Sequence, residues 1–142
     1  MLAECVDGCP PALWLSGTHP RPYWKIAYHV TAYTHCFLFP SFDLWEKWPH
    51  HRREATWTFD EDGIGIPEIE PYTPEQVMDY IRLIQGQVDE RIDVLNLEED
   101  DCGIPWYKGL ARAELLILNA RHISEHVGQL HELQIAAGLD VD

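Results

Sequence analysis

An all-α fold, one bundle of packed helices in a single domain spanning residues 1 to 142, is the class the sequence predicts. Three observations carry it: long segments whose apolar residues recur every three or four positions, helix start and stop signals at their ends, and no run of alternating strands between them. At 142 residues with 46% apolar composition and six tryptophans, the chain is long enough to bury roughly two-thirds of its unfolded surface without a disulfide or metal staple.

The elements follow in order. MLAECVD reads as two turns of a shortened first helix stopping at Gly8, before the break at Cys9-Pro10-Pro11. A second helix starts near Pro22, where proline is tolerated in the first turn, and runs through YWKIAYHVTAYTHCFLF until Pro40 ends it. The third has the clearest start: Thr73 as N-cap, Pro74 at the first helical position and Gln76 as the reciprocal member of a capping box. Val77, Ile81, Ile84, Val88, Ile92 and Leu95 then trace one apolar stripe. The fourth begins after Gly109 and runs through LARAELLILNARHISEHVGQLHELQIAA to a glycine stop at Gly138. Between the second and third helices, a connection from Pro40 to Tyr72, rich in Trp, Pro and Gly, is long for a compact domain and so is expected to be functional or to cover something. Within it, Ala55-Thr56-Trp57-Thr58-Phe59 alternates enough to suggest a short extended piece.

Charge excludes some functions. Ten basic against 24 acidic residues give a net charge of -14, which repels polyanions, so no nucleic-acid partner is expected. The acidic runs Asp60-Glu61-Asp62 and Glu98-Glu99-Asp100-Asp101 lack the spaced ligands of a calcium loop and read as solvated loops. Cys5, Cys9, Cys36 and Cys102 form no C-x-x-C pair and read as reduced thiols. No membrane span and no signal peptide is read, which makes the cytoplasm the expected compartment.

The chemistry concentrates in histidines. Successive helical residues turn about 100° and rise about 1.5 Å, so His122 and His126 lie only about 40° apart and about 6 Å along the axis. Leu115 and Leu133 fall on their line, Asn119 and Gln129 lie beside it, and Ile123, Val127 and Leu130 extend the same face inward. On the second helix His29 shares a side with Ile26, Tyr33 and Cys36, which makes it the residue expected to meet the pair; His35 projects elsewhere, and Cys36 lies about two turns away. Three imidazoles from two helices suit a divalent cation with positions left for water or substrate; the competing reading is paired, hydrogen-bonded core histidines. His19, His50, His51 and His131 read as surface residues, the middle two as a local basic patch with Arg52 and Arg53. The spelling H-x-x-E-H at His122 to His126 matches a metallopeptidase signature, but only sixteen residues follow, too few for the later helix that supplies the remaining ligand.

Three stretches in order, RPYWKIAYHVTAYTHCFL, PYTPEQVMDYI and IPWYKGLARAELLILNARHISEHVGQL, resemble the DinB-like (YfiT-like) family of metal-binding four-helix bundles, and together they span most of residues 21 to 130. The resemblance implies an up-and-down bundle in which His29, His122 and His126 hold nickel, zinc or a similar ion. It further implies a metal-dependent enzyme acting on a small molecule, a transferase using a low-molecular-weight thiol or a hydrolase; Tyr33, Asn119 and Glu125 enter as positioning or proton-transfer groups on their facing alone. The alternative is a non-catalytic protein in which the ion only stabilises the helices. A homodimer is expected from the family and from the shortened first helix, and Glu125 stands where the family often carries histidine or glutamine.

Overall fold

The computed structural model describes residues 1–56 and 65–141. Its described residues form α1 (Leu2–Asp7), α2 (Pro11–Trp14), α3 (Tyr23–Cys36), α4 (Pro74–Val94) and α5 (Arg112–Ala136), with one 3-10 turn at Arg53–Ala55 and no strand. The expected all-α class holds. Of the extended piece read at 55 to 59, Ala55 closes the 3-10 turn and Thr56 follows in a turn, while Trp57 to Phe59 lie outside the described residues, as does Asp60-Glu61-Asp62.

α1 is two turns long, as read, and buries Cys5 and Val6 against α4 and α5. The stretch read as a break after Cys9 contains one more helical turn, α2, because Pro11 occupies the first turn, where its missing N–H is harmless. Trp14 anchors that turn: its ring is buried and its Nε1–H donates to the Tyr72 carbonyl at 2.8 Å. α3 ends at Cys36, three residues earlier than the apolar run suggests, since Leu38 and Phe39 bond back to the carbonyls of His35 and Cys36 in tightened turns. α4 starts at the capping box: Thr73 Oγ1 accepts from the Gln76 amide at 3.2 Å and Gln76 Oε1 from the Thr73 amide at 2.8 Å. Val77, Ile81 and Ile84 of its stripe are buried, and Val88 packs on the core edge.

Contacts set the directions of the long helices. Tyr28 stacks on Tyr72, just before α4, with ring centroids 4.5 Å apart; His35 bonds Tyr80 and Arg91 lies over Phe39. Numbers rise together, so α3 and α4 run in the same direction. Against α5 the order reverses: Arg112 meets Phe39, Asn119 meets Thr34 and His122 meets His29. The simple up-and-down order that the resemblance implies therefore does not hold between α3 and α4. The long connection between them supplies the reason, since it returns the chain to the starting end before α4 begins.

That connection is packed with aromatics. Trp48 stacks on Tyr80 at 4.6 Å and 7°, and Trp45 is buried beside His35. His51, expected on the surface, is half-buried with its Nδ1 2.8 Å from the Tyr28 hydroxyl; His50 is exposed as expected and lends its carbonyl to the Tyr72 hydroxyl. His35 shows what an inward histidine requires. Trp45 Nε1–H donates to its Nδ1 at 3.2 Å, so Nδ1 carries the lone pair and Nε2 the proton, beside the Gln87 amide. Burial pushes the His35 imidazole down to about 4, with Gln87 partly opposing. In the unfolded chain it titrates near 6.5, so below that pH the unfolded state binds a proton that the folded state refuses. Stability of the metal-free protein should therefore fall as pH drops from about 6.5 to about 4, by on the order of 3 kcal/mol from His35. Urea unfolding at pH 7 and 4.5 with chelator checks this, and His35→Gln should show a shallower slope.

The connection from α4 to α5 is tied by Asp101, to which the sequence assigned no role beyond a solvated loop: its carboxylate accepts from the amides of Gly103 at 2.7 Å and Gly109 at 3.4 Å, which holds it below the usual carboxylate range. Gly103 has φ +69°, and a Cβ there would lie 2.5 Å from the Pro40 carbonyl oxygen. Gly103→Ala should cost roughly 3 kcal/mol, combining left-handed strain with a backbone clash that no side chain can relieve, and a lowered urea midpoint would report it.

Candidate metal centre

His29 reaches the site from the middle of α3; His122 and His126 reach it from consecutive turns of α5. The antiparallel packing of those helices brings all three together. His122 Nε2 is 3.1 Å from His29 Nε2 and 3.0 Å from His126 Nε2, and one nitrogen from each ring lies within 4.8 Å of the others. The three histidines read from the sequence therefore lie close enough together to hold one ion. Cys36 is buried and its thiol is pushed up to about 12 by burial; it does not join the cluster. The helix face is also as read: Leu115, Asn119, Val127 and Leu130 are buried, although Gln129 is exposed.

The opposite ring nitrogens decide what the cluster can do. His29 Nδ1 lies 2.7 Å from the Thr56 carbonyl oxygen and His126 Nδ1 lies 2.8 Å from Gln129 Oε1. Both partners are acceptors, so both Nδ1 atoms carry the proton and both Nε2 atoms present a lone pair. Burial depresses all three rings: His29 to about 3, with the Thr56 carbonyl opposing and the other two histidines adding; His122 to about 4; His126 also downward, with Gln129 opposing. All are neutral at pH 7.

A neutral His122 then has one proton to place. Put on Nε2, the one N–H has two lone pairs to serve, at 3.1 Å and 3.0 Å, and can point squarely at only one of them. Put on Nδ1, it leaves three lone pairs converging. A cation among the three nitrogens would accept all three lone pairs at once, which neither placement of that proton does. Two nitrogens each about 2.1 Å from one ion are about 3.0 Å apart at a right angle and about 3.4 Å apart at the tetrahedral angle. The residues fit a divalent ion bound from one side.

Aromatic rings flank the cluster. Tyr33 lies with its ring centroid 4.7 Å from that of His29 and edge-on to His122 at 6.1 Å, while Phe37 stands 6.3 Å from His122. Burial raises the Tyr33 hydroxyl to about 12, so it stays protonated and able to donate. Trp106, 45% exposed, meets Tyr33 edge-on. Glu125 turns away: it is exposed and its carboxylate sits 3.3 Å from Arg121. Of the three positioning candidates, Tyr33 lies against His29 and His122, Asn119 is buried on the α3–α5 seam, and Glu125 lies in solvent. The Thr56 carbonyl was not foreseen, because a backbone acceptor from a distant turn leaves no mark in residue identity.

Compared with protein-family models, curated proteins and solved structures, the chain matches none of them. Among the described residues, no helix is long and apolar enough to cross a membrane.

Proposed function

We propose that this chain is a metal-binding four-helix bundle of the DinB-like kind, in which His29, His122 and His126 hold one nickel or zinc ion for chemistry on a small molecule. The observation that carries the reading is the convergence of three neutral imidazoles, two with their outer nitrogens already spoken for, on one point between α3 and α5. Such an ion, when bound, supplies Lewis acidity toward a water or a low-molecular-weight thiol. The chain's own part is to keep the imidazoles deprotonated by burial, to aim them through Thr56 and Gln129, and to pack the Tyr33 ring against them. Thiol transfer or hydrolysis on a small electrophile is the reaction class proposed, in a cytoplasmic homodimer.

A second reading has its own support. Among the described residues no carboxylate belongs to the histidine cluster, and Glu125, the nearest in sequence, pairs with Arg121 instead. In that reading the ion only ties α3 to α5. Protein purified without a histidine tag, assayed for bound metal and screened with low-molecular-weight thiols and small esters, separates the two. Turnover that chelator abolishes and zinc or nickel restores supports the enzyme. A melting temperature that falls on chelation, with no turnover of any thiol or ester, supports the structural ion. Protein that binds neither metal defeats both.

A further inference from the structure

Resting on the metal reading above, we infer that Asn119 is the residue that orients His122, acting with the Thr34 hydroxyl through one buried water. Each imidazole that presents Nε2 to an ion must give its Nδ1 proton to something. Thr56 takes that of His29 and Gln129 that of His126, but His122 Nδ1 is buried with no partner in the protein. Two other buried polar atoms on the same α3–α5 seam are also without partners: Asn119 Oδ1 and Thr34 Oγ1. The remaining buried pair, His35 Nε2 and Gln87 Oε1, belongs to the separate network around Tyr80.

The seam atoms are complementary. Asn119 lies three residues before His122 on α5, and helical side chains lean back over the preceding turn, so the His122 ring leans toward Asn119. The Asn119 amide is held by its other end, Nδ2 donating to the Thr34 carbonyl at 3.3 Å, which leaves Oδ1 as an acceptor. Asn119 is 5% exposed, so bulk solvent does not meet the need. No direct bond closes between Oδ1 and the imidazole. One water that accepts from His122 Nδ1–H, donates to Asn119 Oδ1 and bonds Thr34 Oγ1 satisfies all three atoms and has the three partners usual for a buried water. It also locks His122 as the Nδ1–H tautomer, turning its Nε2 lone pair toward the other two histidines before any ion arrives.

The test reads the tautomer directly. In the metal-free protein at pH 7.5, imidazole 15N shifts should report His122 protonated on Nδ1, and Asn119→Leu should move it to a mixed or Nε2–H state while His29 and His126 stay as they are. Zinc affinity should fall roughly 10- to 100-fold in Asn119→Leu, with stoichiometry unchanged, and remain within a few-fold of wild type in Asn119→Asp, which keeps an acceptor. Thr34→Val gives the same tautomer change if the leucine variant does not fold. An Nε2–H His122 in the wild type overturns the inference; so does a leucine variant that melts lower with tautomer and affinity untouched, which marks a packing residue only. Because the tautomer is read without metal, a wild type that ignores zinc yet shows the Asn119-dependent tautomer defeats the metal reading and leaves this one standing.

Discussion

His122→Ala is expected to abolish tight metal binding while leaving a folded helical protein. His122 joins the cluster to both neighbours, its Nε2 lying 3.1 Å from His29 Nε2 and 3.0 Å from His126 Nε2. Where four protein ligands share an apparent zinc binding energy of roughly 10–16 kcal/mol, each is worth about 3 kcal/mol, or at least about 100-fold in affinity. With only two imidazoles left, the loss should reach that size or exceed it. The fold should tolerate the change, because His122 is only half-buried and donates nothing to α3 that the packing of Val127, Leu130 and Leu115 does not secure. In the metal-free state the substitution removes one of the converging Nε2 lone pairs, so the melting temperature should change little, and only the gain in stability on adding zinc should disappear. Calorimetric zinc titration paired with thermal melts checks both halves.

Arg112→Ala should bring the largest stability loss. Arg112 is 1% exposed at the first turn of α5, with Nη1 donating to the Phe39 carbonyl at 2.9 Å and Nη2 to the Pro40 carbonyl. Those carbonyls stand just beyond the C-terminal end of α3, where the helix dipole favours a cation. Among the described residues no carboxylate forms an ion pair with the guanidinium, so the chain end itself is its counterpart. Truncation leaves two backbone acceptors short of a donor at about 1–3 kcal/mol each and removes the packed stem. A loss of about 4 kcal/mol and a melting temperature lower by roughly 10 °C are expected. Arg112→Met, which keeps the stem but not the donors, should recover only a minor part. Because Arg112 fixes α5 against the end of α3, the same variant should also loosen the register that brings His122 to His29.

How far the sequence reached follows from where each signal is local. The α4 start was legible to the residue because Thr73 and Gln76 bond each other within one turn. The inward pair His122 and His126 was legible from helical spacing, and His29 from sharing a face with Ile26 and Tyr33. What could not be read depends on partners far along the chain. His51 looks like part of a basic loop until Tyr28 and Trp45 are seen against it. The shared direction of α3 and α4 is set by how the aromatic connection folds back, which no periodicity encodes. Arg112, a charged residue at a helix start, gives no hint of a burial that two carbonyls 72 and 73 positions away create.

Anomalous diffraction from crystals of untagged protein soaked in a single equivalent of zinc bears most directly on the shared ion. One peak per chain, about 2 Å from the ε nitrogens of His29, His122 and His126, is the expected result. A peak elsewhere on the chain, or none, with the three rings bonded to one another or to water, contradicts the account.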